Sequence, residues 1–74
     1  MEKSKTNDVI LHLIKYGTIT QMEAAKRYNL YRLSGVIFEL RKRNMVINTE
    51  MIPFKSKYGT HSHYAKYHLI SMGD

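Results

Sequence analysis

Apolar residues recur at helical spacing in the first part of the chain, where Val9, Ile10, Leu13 and Ile14 form a stripe. At about 100° per residue these four side chains lie on one face of a helix, and we expect that face to be buried. Gly17 follows the stripe and accepts the left-handed backbone that ends many helices. The pattern therefore predicts a first helix that ends at Gly17.

Two further helices are predicted between residues 20 and 44. Thr20 and Glu23 stand three residues apart, which is the spacing of a capping box at a helix start. Asn29 is well suited to a left-handed turn after this second helix, and Asn44 to a stop after the third. The third helix, about residues 31–43, keeps one apolar face made by Leu30, Leu33, Val36, Ile37 and Leu40.

The remaining part of the chain predicts a β-hairpin. Residues 46–49 and 64–69 read as strands, and the second alternates between two faces. Residues 52–63 between them, with Pro53 and Gly59, read as a charged loop, which we call the wing. The order predicts an α+β fold of the winged helix-turn-helix kind, three helices followed by a hairpin. We expect one domain over residues 1–74, with frayed ends at 1–5 and 71–74.

Charge separates the chain into a neutral part and a basic part. The charges of residues 1–25 sum to zero, whereas residues 26–68 carry nine Lys and Arg against Glu39 and Glu50. With Asp74 the chain reaches the net charge of +6. This asymmetry favours a surface that binds a polyanion, and the alternative is a charge that only keeps the protein soluble.

Several functions are disfavoured by composition. The chain has no cysteine, so neither a disulfide nor a thiolate metal site is possible. His61, His63 and His68 lie in the predicted hairpin without an acidic partner set, so no metal site and no cofactor are expected. No nucleophile motif or glycine-rich phosphate loop indicates an enzyme. Without a signal core or a membrane-length apolar run, we expect a cytoplasmic protein, in the host cell if phage-encoded.

The segment around the predicted helix-turn-helix resembles a known family. The residues that carry the resemblance are Gly17, Thr20, Tyr28, Arg32-Leu33-Ser34, Ile37, Glu39-Leu40-Arg41 and Tyr67-His68-Leu69. With these residues the chain is similar to the small winged helix-turn-helix domain that is common in phage and prophage proteins. The resemblance implies DNA binding, usually in regulation, as in a transcriptional regulator or an excisionase-like factor.

Three positions depart from the family pattern. Asn29 and Asn44 stand where the family has glycines, and both keep a left-handed backbone accessible. Tyr31 replaces the usual Ser or Thr at the start of the third helix and cannot cap it in the same way. Either Asn29 helps to cap that helix, or its first turn is looser.

The candidate contacts divide into base readers and backbone contacts, with double-stranded DNA as the expected partner. The third helix would lie in the major groove and the basic wing on the backbone. The base-contact candidates are Tyr31, Arg32, Ser34, Gly35 and Phe38. The backbone candidates are Thr20, Gln21, Arg41, Lys42, Arg43, Lys55, Lys57 and Lys66.

Other interpretations stay open from the sequence alone. Arg32 could form an ion pair with Glu39 or Glu23 instead of reading a guanine. Phe38 is expected to pack under the wing, with a thymine methyl or a protein contact as alternatives. The basic face could bind an acidic protein surface, as in a phage-encoded inhibitor of a host defence nuclease. A single unit covers few base pairs, so a homodimer on DNA is also possible.

Overall fold

The computed structural model of the protein describes residues 5–73. The elements follow the chain in the order α1 (Lys5–Tyr16), β1 (Thr18–Thr20), α2 (Gln21–Tyr28), α3 (Leu33–Lys42), β2 (Val46–Lys55) and β3 (His61–Ser71). The strands form one antiparallel sheet in the order β1-β3-β2. This arrangement confirms the predicted α+β winged helix-turn-helix, with β1 as a short additional strand beside the hairpin.

The core lies where the three helices pack against the base of the sheet. Its buried hydrophobic side chains are Val9, Leu13, Ile19, Ala24, Leu30, Leu33, Ile37, Leu40, Met45 and Ile47. The stripe predicted for α1 is wrong at Ile14, which is 58% exposed. His12 is buried in the α1 stripe instead, beside Val9 and Leu13, because the buried face is rotated toward α2.

The helix boundaries that depend on local signals are as predicted. The Glu23 amide donates to Thr20 Oγ1 at 3.2 Å, and the Thr20 amide donates to Glu23 Oε1 at 2.9 Å, which completes the capping box. Gly17, Asn29 and Asn44 have φ values of 81°, 57° and 71°. All three residues therefore adopt the left-handed backbone predicted for them.

The third helix begins later than predicted, at Leu33 instead of about residue 31. Tyr31 and Arg32 belong to the turn that precedes it, and Asn29 does not cap it. The cap comes from α2, because the Leu33 amide donates to Gln21 Oε1 at 2.9 Å. Gln21 Nε2 also donates to the Leu30 carbonyl at 2.7 Å, so this one side chain joins the start of α2 to the turn and to α3.

The hairpin is longer than predicted, since β2 and β3 include most of residues 52–63, the segment predicted as a loop. Only residues 56–60 form the turn. Pro53 is compatible with β2 because β2 is an edge strand of the sheet. β1 pairs only with residues 66–68, so residues 51–55 and 61–65 extend as a two-stranded ribbon about 17 Å long.

The fraying predicted for residues 1–5 and 71–74 stays a prediction. Lys5 is the first described residue of α1, and Ser71 is the last residue of β3. The Gly73 amide donates to Ser71 Oγ at 3.2 Å. The other predicted frayed positions, 1–4 and 74, lie outside the described residues.

Candidate nucleic-acid interface

The outer face of α3 is open to solvent along its length. Ser34, Gly35 and Phe38 are exposed there, as predicted, while Leu33 and Ile37 on the opposite face are buried. Phe38 does not pack under the wing, so that prediction is wrong: its side chain is 63% exposed. The cause is its position on the helix, one residue beyond Ile37 and about 100° away from the buried face.

The turn before α3 presents two more of the predicted base readers. Tyr31 is 71% exposed, and its hydroxyl donates to Asn29 Oδ1 at 3.0 Å. Arg32 is exposed and forms no ion pair with Glu23 or Glu39 within residues 5–73. The guanidinium of Arg32 is therefore available to an external partner at the N-terminal end of α3.

The basic residues at the end of α3 have different surroundings. Arg41 is held within the chain, because its Nη2 donates to the Ile47 carbonyl at 2.6 Å and to Thr49 Oγ1 at 3.0 Å. Its Nε donates to the same carbonyl at 3.2 Å. Lys42 lies 3.9 Å from Glu39 Oε2 in an exposed ion pair, which is worth little in water. Arg43 is exposed and forms no side-chain bond in the described part of the chain.

Two of the backbone candidates are engaged at the start of α2. Thr20 Oγ1 accepts the capping hydrogen bond from Glu23, and both polar atoms of Gln21 are used between α2 and α3. A phosphate contact by Thr20 or Gln21 stays a prediction, and it would compete with these intramolecular bonds.

The hairpin carries positive charge without acidic neighbours toward its tip. Residues 51–73 contain Lys55, Lys57 and Lys66 and no Asp or Glu. At the tip Tyr58 is 83% exposed, and Lys57 Nζ lies 5.4 Å from the centroid of its ring. Lys66 lies opposite Glu50 in the strand register, but Glu50 Oε1 is 2.7 Å from His68 Nε2 instead. The hairpin therefore presents Lys55 and Lys57 to solvent, whereas Lys66 is half-buried.

A groove that the sequence did not predict lies between the start of α2 and the hairpin. Its lining residues are Thr18, Thr20, Met22, Glu23, Phe54, Tyr64 and Lys66. Met22 is 67% exposed, and the rings of Phe54 and Tyr64 are 5.9 Å apart. These side chains come from β1, α2, β2 and β3, so no local sequence signal identifies the groove.

A buried histidine connects α1 to the start of the helix-turn-helix. His12 is 3% exposed, and its Nδ1 lies 2.8 Å from the Tyr28 hydroxyl. Its Nε2 lies 3.9 Å from Glu23 Oε1 and has no hydrogen-bond partner among the described residues. Burial lowers the pKa of His12 from 6.5, and the Glu23 carboxylate opposes this shift only in part.

Tyr16 and Arg27 extend this contact between α1 and α2 to the surface. Arg27 Nη1 lies 3.3 Å from the Tyr16 hydroxyl, and the guanidinium lies 5.1 Å from the ring centroid. Arg27, together with Lys15, lowers the pKa of the Tyr16 hydroxyl. Arg27 is thus engaged in the contact between α1 and α2.

The elements around this surface, with two packed helices joined by an Asn29 turn and followed by a long hairpin, correspond to a known domain. The family described as the winged helix-turn-helix domain matches residues 5–72. The chain belongs to this family. A winged helix-turn-helix domain is in general a DNA-binding unit, and the family is typically not enzymatic. No curated protein and no solved structure matches the chain significantly.

The lengths and hydropathies of the described helices can be compared with those of a membrane-spanning helix. Among residues 5–73, no helix combines the length and the hydropathy needed to cross a bilayer.

Proposed function

We propose that this winged helix-turn-helix domain binds double-stranded DNA with α3 in the major groove and the hairpin along the adjacent backbone. The observation that carries the proposal is the position of exposed cations around an open helix face, none of which forms an ion pair within residues 5–73. Arg32 stands before α3, Arg43 stands after it, and Lys55 and Lys57 lie on the hairpin. Cations at these positions would neutralise phosphates on either side of a groove.

The proposed contacts use side chains that are not held by a hydrogen bond within residues 5–73. Arg32 and Ser34 are at the end of α3 that usually meets base edges. Arg41 is given an intramolecular role because its guanidinium is bonded to β2. The proposed phosphate contacts are the five remaining basic residues of this surface, Lys42, Arg43, Lys55, Lys57 and Lys66.

Salt dependence of binding tests the proposal quantitatively. Five neutralised phosphates predict that log K against log salt falls with a slope of about −4 to −5, measured by fluorescence anisotropy with a labelled duplex. Lys57→Ala should reduce the slope by about one. Lys15→Ala removes the same charge from the last turn of α1, outside the proposed surface, and should leave the slope unchanged. A wild-type slope near zero would contradict the proposal.

For the biological role, we propose a phage-type transcriptional regulator or an excisionase-like factor that acts in the cytoplasm. This proposed role is supported by the segment around Arg32-Leu33-Ser34, which resembles domains of phage and prophage proteins. DNA bending distinguishes the two roles, because an excisionase-like factor shapes DNA for recombination, whereas a simple operator reader need not bend it. The symmetry of the bound sequence would report whether a homodimer binds.

The groove beside the hairpin supports a second candidate, a protein-binding module. Met22, Phe54 and Tyr64 expose an apolar surface there, and Lys66 adds a cation that suits an acidic protein. Such a module should bind its protein partner with the same affinity after Arg32 and Ser34 are both changed to Ala. A DNA reader should lose sequence preference with the same double change.

A further inference from the structure

Phe38 places a large apolar ring in the middle of the open face of α3. Its side chain is 63% exposed, and Lys42 Nζ, one helical turn later, lies 5.5 Å from the ring centroid. A phenylalanine in water at this position gains nothing from the core, which Ile37 and Leu40 already supply on the opposite face. The exposed ring therefore fits a contact with an external partner.

The residues on the N-terminal side of Phe38 have small side chains or none. Ser34 and Gly35 lie one turn before it, and a Cβ built on Gly35 would meet nothing within 4 Å. The space beside the ring is thus empty, and the helix backbone can approach a flat surface closely. Glycine in a helix costs about 1 kcal/mol against alanine, and close approach to a partner is a physical reason for accepting this cost.

The positive charges near α3 lie toward its ends. From Leu33 to Phe38 the helix carries no charged residue, and Arg32 precedes this segment. Glu39 follows Phe38 directly and lies 3.9 Å from Lys42, and Arg41 and Arg43 complete the charged C-terminal end. The middle of the face therefore offers few hydrogen-bond donors, of which the Ser34 hydroxyl is one. In the major groove the one apolar feature on a base edge is the C5-methyl group of thymine.

We propose that Phe38 packs against a thymine methyl, so that the protein selects a site with thymine opposite the middle of α3. This inference rests on the proposed function, since it requires α3 to lie in the major groove. The cations at the two ends of α3 would bind phosphates and so position the helix in the groove. The apolar middle of the helix face would select the base.

Replacement of thymine by uracil tests the inference, because it removes only the C5-methyl group and leaves base pairing intact. A duplex is first selected from a random pool, and each thymine is then changed to uracil in turn. We expect one or two positions where binding by the wild type weakens about fourfold, the factor that corresponds to burying one methyl-sized group. Phe38→Ala should bind the thymine and uracil forms equally.

Two controls separate the possible results. Leu11→Ala removes a side chain that is 60% exposed on α1 and should keep the full response to uracil. Circular dichroism should show that Phe38→Ala is folded, as expected for an exposed residue. If the wild type binds specifically but no thymine methyl affects it, the inference is wrong and the proposed function stands. The absence of any duplex binding would overturn both.

Discussion

Gln21→Ala tests how the two helices of the helix-turn-helix are held together. Gln21 Oε1 accepts the Leu33 amide at 2.9 Å, and Gln21 Nε2 donates to the Leu30 carbonyl at 2.7 Å. The first bond satisfies an amide of the first turn of α3, which has no partner inside the helix. The alanine variant loses both bonds at once.

The expected magnitude follows from these two bonds. Loss of a side-chain cap costs about 0.5–2 kcal/mol, and an ordinary intramolecular hydrogen bond contributes about 1 kcal/mol. Because Gln21 is exposed and water can replace part of each bond, we expect a net loss of about 1–2 kcal/mol. In a domain of this size each kcal/mol lowers Tm by about 4–8 °C.

Thermal unfolding followed by circular dichroism measures this loss. Met22→Ala is the matched control, since it changes the neighbouring residue of α2, which is 67% exposed. If Gln21→Ala unfolds at the same temperature as the control, the capping role is refuted. The predicted phosphate contact of Gln21 would instead appear as weaker DNA binding at unchanged Tm.

Three further predictions concern stability and are read from urea unfolding. Because burial lowers the pKa of His12, the folded protein keeps the ring neutral while the unfolded chain takes up a proton, so stability should fall as the pH drops below 6.5. His12→Gln should flatten this dependence, and an unchanged dependence would contradict the assignment. Asn29→Ala should cost about 1–2 kcal/mol because of the left-handed backbone, whereas Asn29→Gly should cost less; equal effects would exclude backbone strain as the cause. Arg41→Met should cost about 1–2 kcal/mol through its bonds to Ile47 and Thr49. If Arg41→Met instead changes the salt dependence of DNA binding and leaves stability unchanged, Arg41 contacts a phosphate.

The sequence was sufficient where a feature depends on neighbouring residues. The capping box at Thr20 and Glu23 and the left-handed residues Asn29 and Asn44 follow from local chemistry, and all are observed. The buried face of α3 follows from helical periodicity, so the exposure of Ser34 and its neighbours was predicted as well. These local features determine most of the fold.

The sequence was insufficient where a feature depends on distant residues. The cap of α3 comes from Gln21, twelve positions before Leu33, and no local pattern reveals it. The burial of His12 depends on Tyr28 of α2, which lies across the helix contact. The strands were predicted too short because the outer hairpin is exposed on both faces, so it lacks a strong apolar alternation.

The sequence predicted which residues of α3 lie on its open face more accurately than which polar side chains are free to bind a ligand. Ser34, Gly35 and Phe38 share the open face of α3, but Arg41 faces β2 and Gln21 faces the turn. A basic or polar residue on a helix can be assigned to a ligand only when its intramolecular partners are known. The sequence does not contain that information for a partner such as the Ile47 carbonyl.

An NMR titration of the ¹⁵N-labelled protein with duplex DNA tests the central claim most directly, because amide shifts report which surface the DNA covers. The account predicts shift changes that cluster in residues 31–43 and 55–66, with little change at residues 11–15 of α1. Changes confined to α1, or no changes when DNA is in excess, would contradict the claim that α3 and the hairpin form a DNA-binding surface.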